Sequence, residues 1–586
     1  MSKTIFTIIL SFFAFFAFGQ QMSAHQEQSE KYSAAGFLTD HQYDSINGFS
    51  GRETFHRTSS ALQKRVFGYH PYWSGNAWQN YQWDLLSDLC YFSYEVNPAN
   101  GEAVTIHDWN TAAVIDTAIS RGVKVHLCVT LFSGHASFFG NPQAQQTLTE
   151  NLIALVASRG AHGINLDIEA VPSSQQSGLT NYIIQLSTAL HAALPDAELS
   201  IAAPAVNWSN TFDLPAITPW LDLIMIMAYD YYWNSSALAG PVSGFWPLTS
   251  SFNYGVNRSL SYYQSQGVPE SKLLLGLPYY GREWPVNSNT LPASTTGSGV
   301  AVTYRNIRAN TTHYTPENLY WDYRSYNPYY SYFTSQWRQC FFDDERSLGA
   351  KYDLVNRRGI AGIGIWALGY DNGYPELWNL IGEKFGENPA DLCTDTIYDS
   401  GGPWWSYENS ETYTETIQSA WEGPLTLTFN NLSLEAIFDS LWIYDGIDTG
   451  APLIASLSGN EIPSPVSTTG NAFTLKFSSD NLTTRAGYEL VWSCPTTSIE
   501  HYETPAGIEV FPVPAKEILN IRFNEPVKNP VKISLTSLNG SIVYRASLTQ
   551  SGLVTLPVGN MAPGVYVLVC EIDGKLHRRK IIIMQD

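Results

Sequence analysis

The chain has 586 residues, which is too long for one ordinary domain and predicts two to four of them. Its net charge is −21, so nucleic-acid phosphates would repel it, and no extended basic stretch offsets that charge. Charged residues are scarce at 15%, whereas aromatic residues make up 14%. This mix is common in proteins that stack against sugars, although large β cores filled with aromatic side chains would have the same composition.

The first 21 residues, MSKTIFTIILSFFAFFAFGQQ, have the pattern of a secretory signal peptide. Lys3 precedes a short apolar run, and the small residue that ends the run predicts cleavage near Gly19–Gln20. That run is short for a membrane span, and no other segment of the sequence is long and apolar enough for one. We therefore predict a signal peptide over residues 1–19 and an exported protein. Residues 20–61 are polar without sustained periodicity, which predicts a flexible lead-in.

Between about residues 62 and 388, short apolar runs alternate with stretches of helical apolar spacing such as TNYIIQLSTALHAALP. About eight such units imply a parallel sheet covered by helices and fit an α/β fold, the (β/α)8 TIM barrel. A doubly wound open sheet is the alternative, but no glycine-rich phosphate loop follows the first strand. Residues 284–345 interrupt the alternation and predict a small insertion between the last two units. The predicted strands are RVFGYHPYW, LCYFSYEV, VKVHLCVTLF, GINLDIEA, LSIAAPAV, LIMIMAYDYYW, LLLGLPYYG and GIAGIGIWAL.

The fourth predicted strand carries three polar residues in alternation with apolar ones. Alternate residues of a barrel strand point inward, so Asn165, Asp167 and Glu169 are predicted to face the barrel axis. Burying unpaired carboxylates costs several kcal/mol or shifts their pKa values strongly. Glu169 is nearest the C-terminal end of the strand, where barrel active sites lie. The row therefore predicts a catalytic site, and the alternative is a buried polar network that only sets the strand register.

The motif HGINLDIEA resembles the signature DGxDxDxE of family 18 glycoside hydrolases, which lies on the fourth barrel strand. FGYHPYW, MAYDYYW, LLLGLPYYGREW and GIAGIGIWALGYD resemble the first, sixth, seventh and eighth strands of that family, so the resemblance covers about residues 62–388. His162 and Asn165 stand where the signature has Asp. His162 is an odd number of residues from the acidic row, so it should point to the other face of the strand and matter little to catalysis. Neutral Asn165 leaves Asp167 coupled mainly to Glu169, so we expect a changed pH–rate profile rather than lost activity.

The resemblance implies a secreted glycosidase that hydrolyses β-1,4-linked N-acetylglucosamine polymers, namely chitin or chitooligosaccharides, with retention. In that family the N-acetyl group of the substrate is the nucleophile, and no cofactor takes part. Glu169 would be the general acid/base, Asp167 beside Asn165 would accept a hydrogen bond from the acetamido N–H, and Tyr229 would donate to the acetamido oxygen. The implied substrate-binding residues are Asp230 against the sugar, Trp366 beneath its ring and Tyr69 behind the acid row.

Two other functions stay open from the sequence. The NxDxE form, together with MAYDYYWNSSALAGPVSGFWPL and LLLGLPYYG, also looks like the branch that contains spore-cortex and cell-wall lytic glucosaminidases, so peptidoglycan is an alternative substrate. A non-catalytic chitinase-like protein that binds glycans is the other. Retained Glu169 and Asp167 argue against it, because inactive relatives usually lose the acid. Trp366 and Tyr69 could also be core residues, and Asp230 a loop cap.

Residues 393–494 lose the helical pattern and predict an all-β domain. LSLEAIFDSLWIYDG and FTLKFSSDNLTTRAGYELVW, bracketed by Cys393 and Cys494, resemble a CUB domain, which is a β-sandwich. We expect these two cysteines to form a disulfide, Cys90 and Cys128 to be buried thiols, and no zinc site, since no CxxC spacing is present. Calcium-binding CUB domains have acidic ligands where this chain has Glu435, Asp439 and Asp480, which predicts a structural calcium ion; solvated loop acids are the alternative.

Residues 506–586 form a second β-rich segment. VFPVPAKEILNIRF, LNGSIVYRA, MAPGVYVLVCEIDGK and HRRKIIIM resemble the Ig-like C-terminal sorting domain of the type IX secretion system of Bacteroidetes. Its usual opening is Y-P-N-P, and Val513 stands in place of the Asn. The resemblance implies that the secretion machinery is a partner and that the protein is extracellular or on the cell surface. A plain β-sandwich without an export role is the alternative.

Overall fold

The computed structural model describes residues 22–36, 38–49, 51, 61–386, 393–494, 508–523, 531–537, 542–548, 553–559, 561, 563–572 and 575–584. Two compact units divide the chain between Cys494 and Pro495. The predicted signal peptide lies outside the described residues. Within the described ranges, no helix is long and apolar enough to cross a membrane.

The first unit contains a closed barrel of eight parallel strands. Neighbouring strands follow the order of the chain, and the last strand pairs with the first, Arg65 opposite Gly362. This closure confirms the predicted TIM barrel over the open sheet. The strands are β1 (Arg65–Pro71), β2 (Asp88–Val96), β3 (Lys124–Leu131), β4 (Gly163–Ile168), β5 (Glu198–Pro204), β6 (Leu223–Met227), β7 (Leu273–Pro278) and β8 (Gly362–Trp366).

Helices cover the outside of the barrel, where outward residues such as Leu166 and Ile168 of β4 are buried against them. The α-helices that follow the strands are Ala113–Ser120, His135–Phe139, Pro142–Arg159, Gln176–Ala193, Leu214–Ile217, Val256–Ser265, Tyr304–Ala309, Glu345–Arg357 and Glu376–Phe385. Short 3-10 helices occupy Tyr72–Asn80, Trp83–Leu85, Ser173–Gln175, Thr218–Trp220, Glu270–Lys272 and Pro316–Asn318. A short strand, Ala103–Thr105, pairs with β2, and Leu238–Ala239 pairs with Ala293–Ser294.

The predicted insertion between β7 and β8 is a five-stranded antiparallel sheet. It begins at Tyr280, four residues before the predicted start, because its first strand follows β7 almost directly. This sheet brings Tyr280 and Arg282 to the C-terminal mouth of the barrel. In sheet order its strands are Val300–Thr303, Tyr280–Val286, Trp337–Phe341, Asn327–Phe333 and Leu319–Asp322.

The predicted flexible lead-in is wrong for two stretches, which are the helices α1 (Ala24–Ser33) and α2 (Asp40–Asn47). Ser23 caps α1 by accepting a hydrogen bond from the Gln26 backbone N–H at 3.0 Å. Neither helix has an apolar face large enough to fold alone. Their buried residues instead pack against the barrel, which supplies the stability that the polar composition does not. Residues 20–21, 37, 50 and 52–60 lie outside the described part.

Residues 393–494 form two four-stranded antiparallel sheets around their own apolar core. The predicted Cys393–Cys494 disulfide is confirmed, with Cα atoms 5.0 Å apart, and Cys90 and Cys128 are buried free thiols as expected. In sheet order the strands are Thr394–Tyr398, Gly487–Ser493, Thr426–Ser433 and Val466–Ser467, and then Thr412–Gln418, Ala472–Ser478, Ser440–Tyr444 and Leu453–Leu457.

Polar contacts join this sandwich to the barrel. The buried Arg358 guanidinium donates to the Glu415 carboxylate at 2.7 Å, and it lies 3.5 Å from the centre of the Tyr413 ring. On the barrel side, the same guanidinium donates to Gln264 at 2.9 Å and to Asn257 at 2.8 Å. Fully desolvated contacts of this kind hold the two domains as parts of one unit.

The described residues of the second unit form two antiparallel sheets around a small apolar core. One has three strands, in the order Ile508–Phe511, Ile518–Phe523 and Leu553–Pro557. The other has four, in the order Ile542–Leu548, Val531–Ser537, Gly564–Ile572 and Lys575–Ile583.

Candidate active site

The acidic row lies on β4 and runs toward the C-terminal mouth of the barrel. Asn165 and Asp167 are completely buried, and Glu169 follows the last strand residue, Ile168. Burial raises the pKa of the Asp167 carboxyl well above its usual range. Burial, and then the neighbouring Asp167, raise the pKa of Glu169 in the same way. Such a pair holds a proton near neutral pH, which a general acid requires.

Asn165 has partners for both ends of its amide. The Tyr69 hydroxyl donates to Asn165 Oδ1 at 2.9 Å, and Asn165 Nδ2 donates to Ser200 Oγ at 2.9 Å. Burial raises the pKa of Tyr69 far above its usual range, so this hydroxyl stays protonated as a donor. His162 lies before the strand, where its Nδ1 accepts a hydrogen bond from the Val125 backbone, away from the row.

The other predicted site residues come from the ends of β6 and β8. Tyr229 and Asp230 follow β6, and Trp366 is the last residue of β8 and is fully buried. Tyr280 donates to Asp230 Oδ1 at 2.7 Å, and Arg282 lies 3.5 Å from the same oxygen. Burial raises the pKa of Asp230, and the Arg282 charge opposes that shift.

One side of this cluster is filled by helix α1. Ser23 Oγ donates to Glu169 Oε1 at 2.7 Å. His25 Nδ1 lies 2.8 Å from Asp167 Oδ2, and His25 Nε2 lies 2.6 Å from the Tyr229 hydroxyl. The His25 ring is stacked on Trp366, with ring centres 3.7 Å apart. The structure thus brings the seven predicted barrel residues together and adds a segment that sequence reasoning did not place there.

The other side of the cluster opens into a cavity of about 190 Å³. Glu169, Tyr229 and Asp230 line its inner end, and aromatic side chains including Trp208 and Trp233 line its outer part. Trp208 is 59% exposed, which is unusual for so large an apolar side chain. Sequence reasoning missed Trp208 and Trp233, because a single Trp in a loop carries no periodic signal. A cleft with acids at one end and exposed indole faces at the other suits a sugar chain.

The profile of glycosyl hydrolases family 18 matches residues 65–371, which is 307 of 586 residues and so more than half of the chain. The chain belongs to this family. A putative sporulation-specific glycosylase of Bacillus subtilis is 29% identical over 48% of this chain and 66% of its own length. A probable endochitinase of Caenorhabditis elegans is 26% identical over 41% of this chain and 42% of its own length. The chain therefore spans less than two thirds of these two relatives.

Solved structures of the family include an N-acetylglucosaminidase from Paenibacillus barengoltzii. It is 19% identical, aligns with 55% of this chain and all of its own, and has a TM-score of 0.49. Two further profiles match outside the barrel: a CUB domain over residues 393–492 and a secretion system C-terminal sorting domain over residues 509–584. The predicted order of the three domains is thereby confirmed.

In the CUB domain of this family 18 chain, the predicted calcium ligands Glu435, Asp439 and Asp480 converge, with one oxygen from each within 4.8 Å of the others. Asp439 is held by two donors: the Tyr407 hydroxyl and the Asp480 backbone N–H, the latter at 2.8 Å. Glu435 Oε2 is buried without a hydrogen-bond partner among the described residues. A buried carboxylate oxygen left unpaired beside two other acids is what a hard cation satisfies, so the residues fit calcium.

Proposed function

We propose that this family 18 member hydrolyses β-1,4-linked N-acetylglucosamine chains by substrate-assisted, retaining catalysis. The observation that carries the proposal is the acid pair at the C-terminal end of β4, where Asp167 is completely buried and the Glu169 side chain is 10% exposed. Tyr229 and Trp366 lie at the same place, since both contact the His25 ring that also contacts Asp167. The relatives named as chitinases and glycosylases support the same class of substrate.

Glu169 protonates the glycosidic oxygen as the bond to the anomeric carbon breaks, and the acetamido oxygen of the same sugar attacks that carbon. Asp167 accepts a hydrogen bond from the acetamido N–H and stabilises the positive charge that develops, and the Tyr229 hydroxyl donates to the acetamido oxygen. Water then opens the intermediate, and Glu169 takes the proton back, which retains the configuration. Asn165 acts behind Asp167: its own hydrogen bonds go to Tyr69 and Ser200, so it positions the row without adding a charge.

Around the reacting sugar, Trp366 forms the floor and Asp230 holds a sugar hydroxyl. The acids carry raised pKa values because the barrel, together with the docked residues Ser23 and His25, shields them from water, and a raised pKa keeps the proton on Glu169 near neutral pH. The exposed indole of Trp208 extends the binding surface outward along the cavity.

The test is hydrolysis of N-acetylglucosamine oligomers by the parent and by Glu169→Gln. We expect the variant to lose at least about a hundredfold in kcat, because proton donation contributes about 10²–10⁴ to such reactions. Proton NMR of the first product should show the β anomer. A parent that binds the oligomers without cleaving them would support the glycan-binding protein instead, with no catalysis.

Peptidoglycan is the second candidate substrate. The relatives include cortical fragment-lytic enzymes of Bacillus anthracis and Bacillus cereus, which are 25% and 24% identical over 51% of this chain. We propose chitin-type chains first, and purified peptidoglycan assayed beside chitin decides between them. Faster release of reducing ends from peptidoglycan would reverse the order.

We also propose that the protein is exported through a signal peptide at residues 1–19 and the type IX machinery. The match of residues 509–584 to a secretion sorting domain supports this route. Expression with and without residues 495–586 in a host with that machinery, followed by fractionation, tests it. An equal share of both forms outside the cell would contradict the proposal.

A further inference from the structure

Helix α1 occupies the groups that the proposed reaction needs. Ser23 donates to the proposed acid, Glu169, and His25 contacts both Asp167 and Tyr229. The His25 ring covers the face of Trp366, with centres 3.7 Å apart, so a sugar ring cannot stack there while His25 is in place. The segment and a substrate therefore exclude each other.

The chemistry of His25 matches that of an acetamido group. A secondary amide offers one N–H donor and one oxygen acceptor, and a neutral imidazole offers one N–H donor and one nitrogen acceptor. His25 directs these two atoms at Asp167 and Tyr229, the groups assigned to the acetamido N–H and oxygen. Burial lowers the pKa of His25 to about 4, which keeps the ring neutral as the match requires.

Contacts outside the catalytic cluster fix the helix in this position. Glu27 pairs with Arg282 of the insertion through two bonds of 3.1 and 2.8 Å. Gln28 accepts hydrogen bonds from Trp366 Nε1 at 3.1 Å and from the Tyr370 hydroxyl. Tyr32 stacks on Trp73, with ring centres 4.9 Å apart and planes 6° from parallel. These partners come from three separate parts of the barrel rim, which is more than a chance surface contact would recruit.

Helix α2 anchors the same segment on the rim. Both oxygens of Asp44 accept hydrogen bonds from Asn76, at 2.7 Å from its backbone and 2.8 Å from its side chain. Asn47 donates to the Trp73 backbone and accepts from Tyr32, so it links α2 to α1. The described stretches of this segment, residues 22–36 and 38–49, are therefore both held on the barrel.

We propose that residues 22–49 are an intramolecular inhibitor that keeps this glycosidase latent until the segment is displaced or removed. The inference rests on the proposed function, since it names what the segment blocks. Because segment and substrate compete for one site, docking multiplies the apparent KM by one plus the docked-to-undocked ratio and leaves kcat unchanged.

The full-length chain offers a direct test through His25→Ala and the triple variant His25→Ala/Glu27→Ala/Gln28→Ala. The single change removes two hydrogen bonds to buried groups and one ring stack, so the docked-to-undocked ratio should fall at least about a hundredfold. Alanine is a better helix former than histidine, so any loss of order comes from lost barrel contacts. Glu30→Gln, on the exposed side of the same helix, is the matched control.

Two readouts are combined. Hydrogen–deuterium exchange of residues 24–33 reports docking without any substrate, and the apparent KM for a soluble N-acetylglucosamine oligomer reports blocking. We expect α1 to be protected in the parent and in Glu30→Gln but not in the triple variant. The triple variant should also show an apparent KM lowered by tenfold or more at the same kcat, in line with the expected fall in docking.

The outcomes separate the two proposals. Unprotected exchange of α1 in the parent, or an unchanged apparent KM in a triple variant whose α1 is exposed, overturns the inhibitor. If protection behaves as expected but no variant cleaves any N-acetylglucosamine chain, the proposed reaction fails and the placement of α1 over the barrel mouth is upheld.

Discussion

Replacing Arg358 by Met tests how strongly the CUB domain is fixed to the barrel. The guanidinium is fully buried and makes hydrogen bonds to Glu415, Gln264, Asn257 and Ser261. Methionine has a similar length and fills much of the same space, so the change removes the charge and the donors without opening a large cavity.

The expected loss follows from what the substitution leaves behind. Glu415 is 1% exposed and, among the described residues, would keep only Arg357, at 3.4 Å, as an ion-pair partner. Breaking a buried ion pair by removing one partner costs about 3–5 kcal/mol, because the remaining charge stays desolvated. Asn257 and Gln264 also lose a donor. We therefore expect the free energy of unfolding of the first unit to fall by about 3–5 kcal/mol.

Denaturant unfolding of the full chain measures the free energy of unfolding. Calorimetry is run beside it to resolve the separate thermal transitions, since a chain with several domains need not unfold in one step. The parent should show barrel and CUB domain melting together, and Arg358→Met should separate the two transitions. Adding Glu415→Leu removes the orphaned charge, so the double variant should recover about 2 kcal/mol relative to the sum of the single changes. A loss below about 1 kcal/mol, or strictly additive changes, would refute this account of the interface.

Three further predictions concern charge. Asn165→Asp places a carboxyl about 7 Å from Asp167 along the strand; at an effective dielectric constant of about 20 their repulsion is about 2.4 kcal/mol, which should raise the basic limb of the kcat–pH profile by up to about two units, and superimposable profiles at saturating substrate would contradict this. Docking of α1 buries His25 among Asp167, Glu169, Asp230 and Tyr229 and lowers its pKa from 6.5 to about 4. The neutral ring is the form that docks, so His25 favours docking above pH 6.5. This contribution is lost as the pH falls toward 4. The site carboxyls titrate whether or not residue 25 is His, so the difference in exchange protection of α1 between the parent and His25→Ala isolates the His25 contribution; this difference should be largest above pH 6.5 and shrink as pH falls toward 4, and a difference that does not shrink would contradict it. Calcium at about 100 times its Kd should stabilise the CUB domain by about 2.7 kcal/mol in the parent but not in Asp480→Asn, and identical melting with calcium and with a chelator would exclude the ion.

The barrel could be predicted from the sequence because its eight strands are continuous apolar runs, and few other folds bury both faces of every strand. The polar row on β4 stood out against that background for the same reason. Because alternate residues of a strand point to the same face, the sequence predicts that Asn165 and Asp167 point inward, and both are completely buried. The sequence also predicts the insertion between the last two units, but it does not predict the start at Tyr280, because the first insertion strand follows β7 almost directly.

Helices α1 and α2 could not be predicted from hydrophobic pattern, because their stability comes from the barrel surface on which they lie. One local signal was present. Ser23 with Gln26, and Thr39 with Gln42, both have the S/T-x-x-Q spacing of a capping box. That spacing marks where a helix can begin, but it does not tell which surface will hold the helix.

The site has a physical reason to accept such a segment. Asp167 is fully buried at the mouth, and its pKa is raised even with His25 in contact, so this carboxyl has too few partners of its own. A site preorganised for an acetamido group must keep a donor and an acceptor apart from water, which is costly whenever no ligand is bound. Any neutral group with one donor and one acceptor at that spacing recovers part of this cost, and His25 is such a group. The features that would make the site selective for N-acetylated sugars therefore also make it open to inhibition by an imidazole. The binding free energy of substrate measured on the full chain is then the difference between that of the sugar at the open site and that of docking α1.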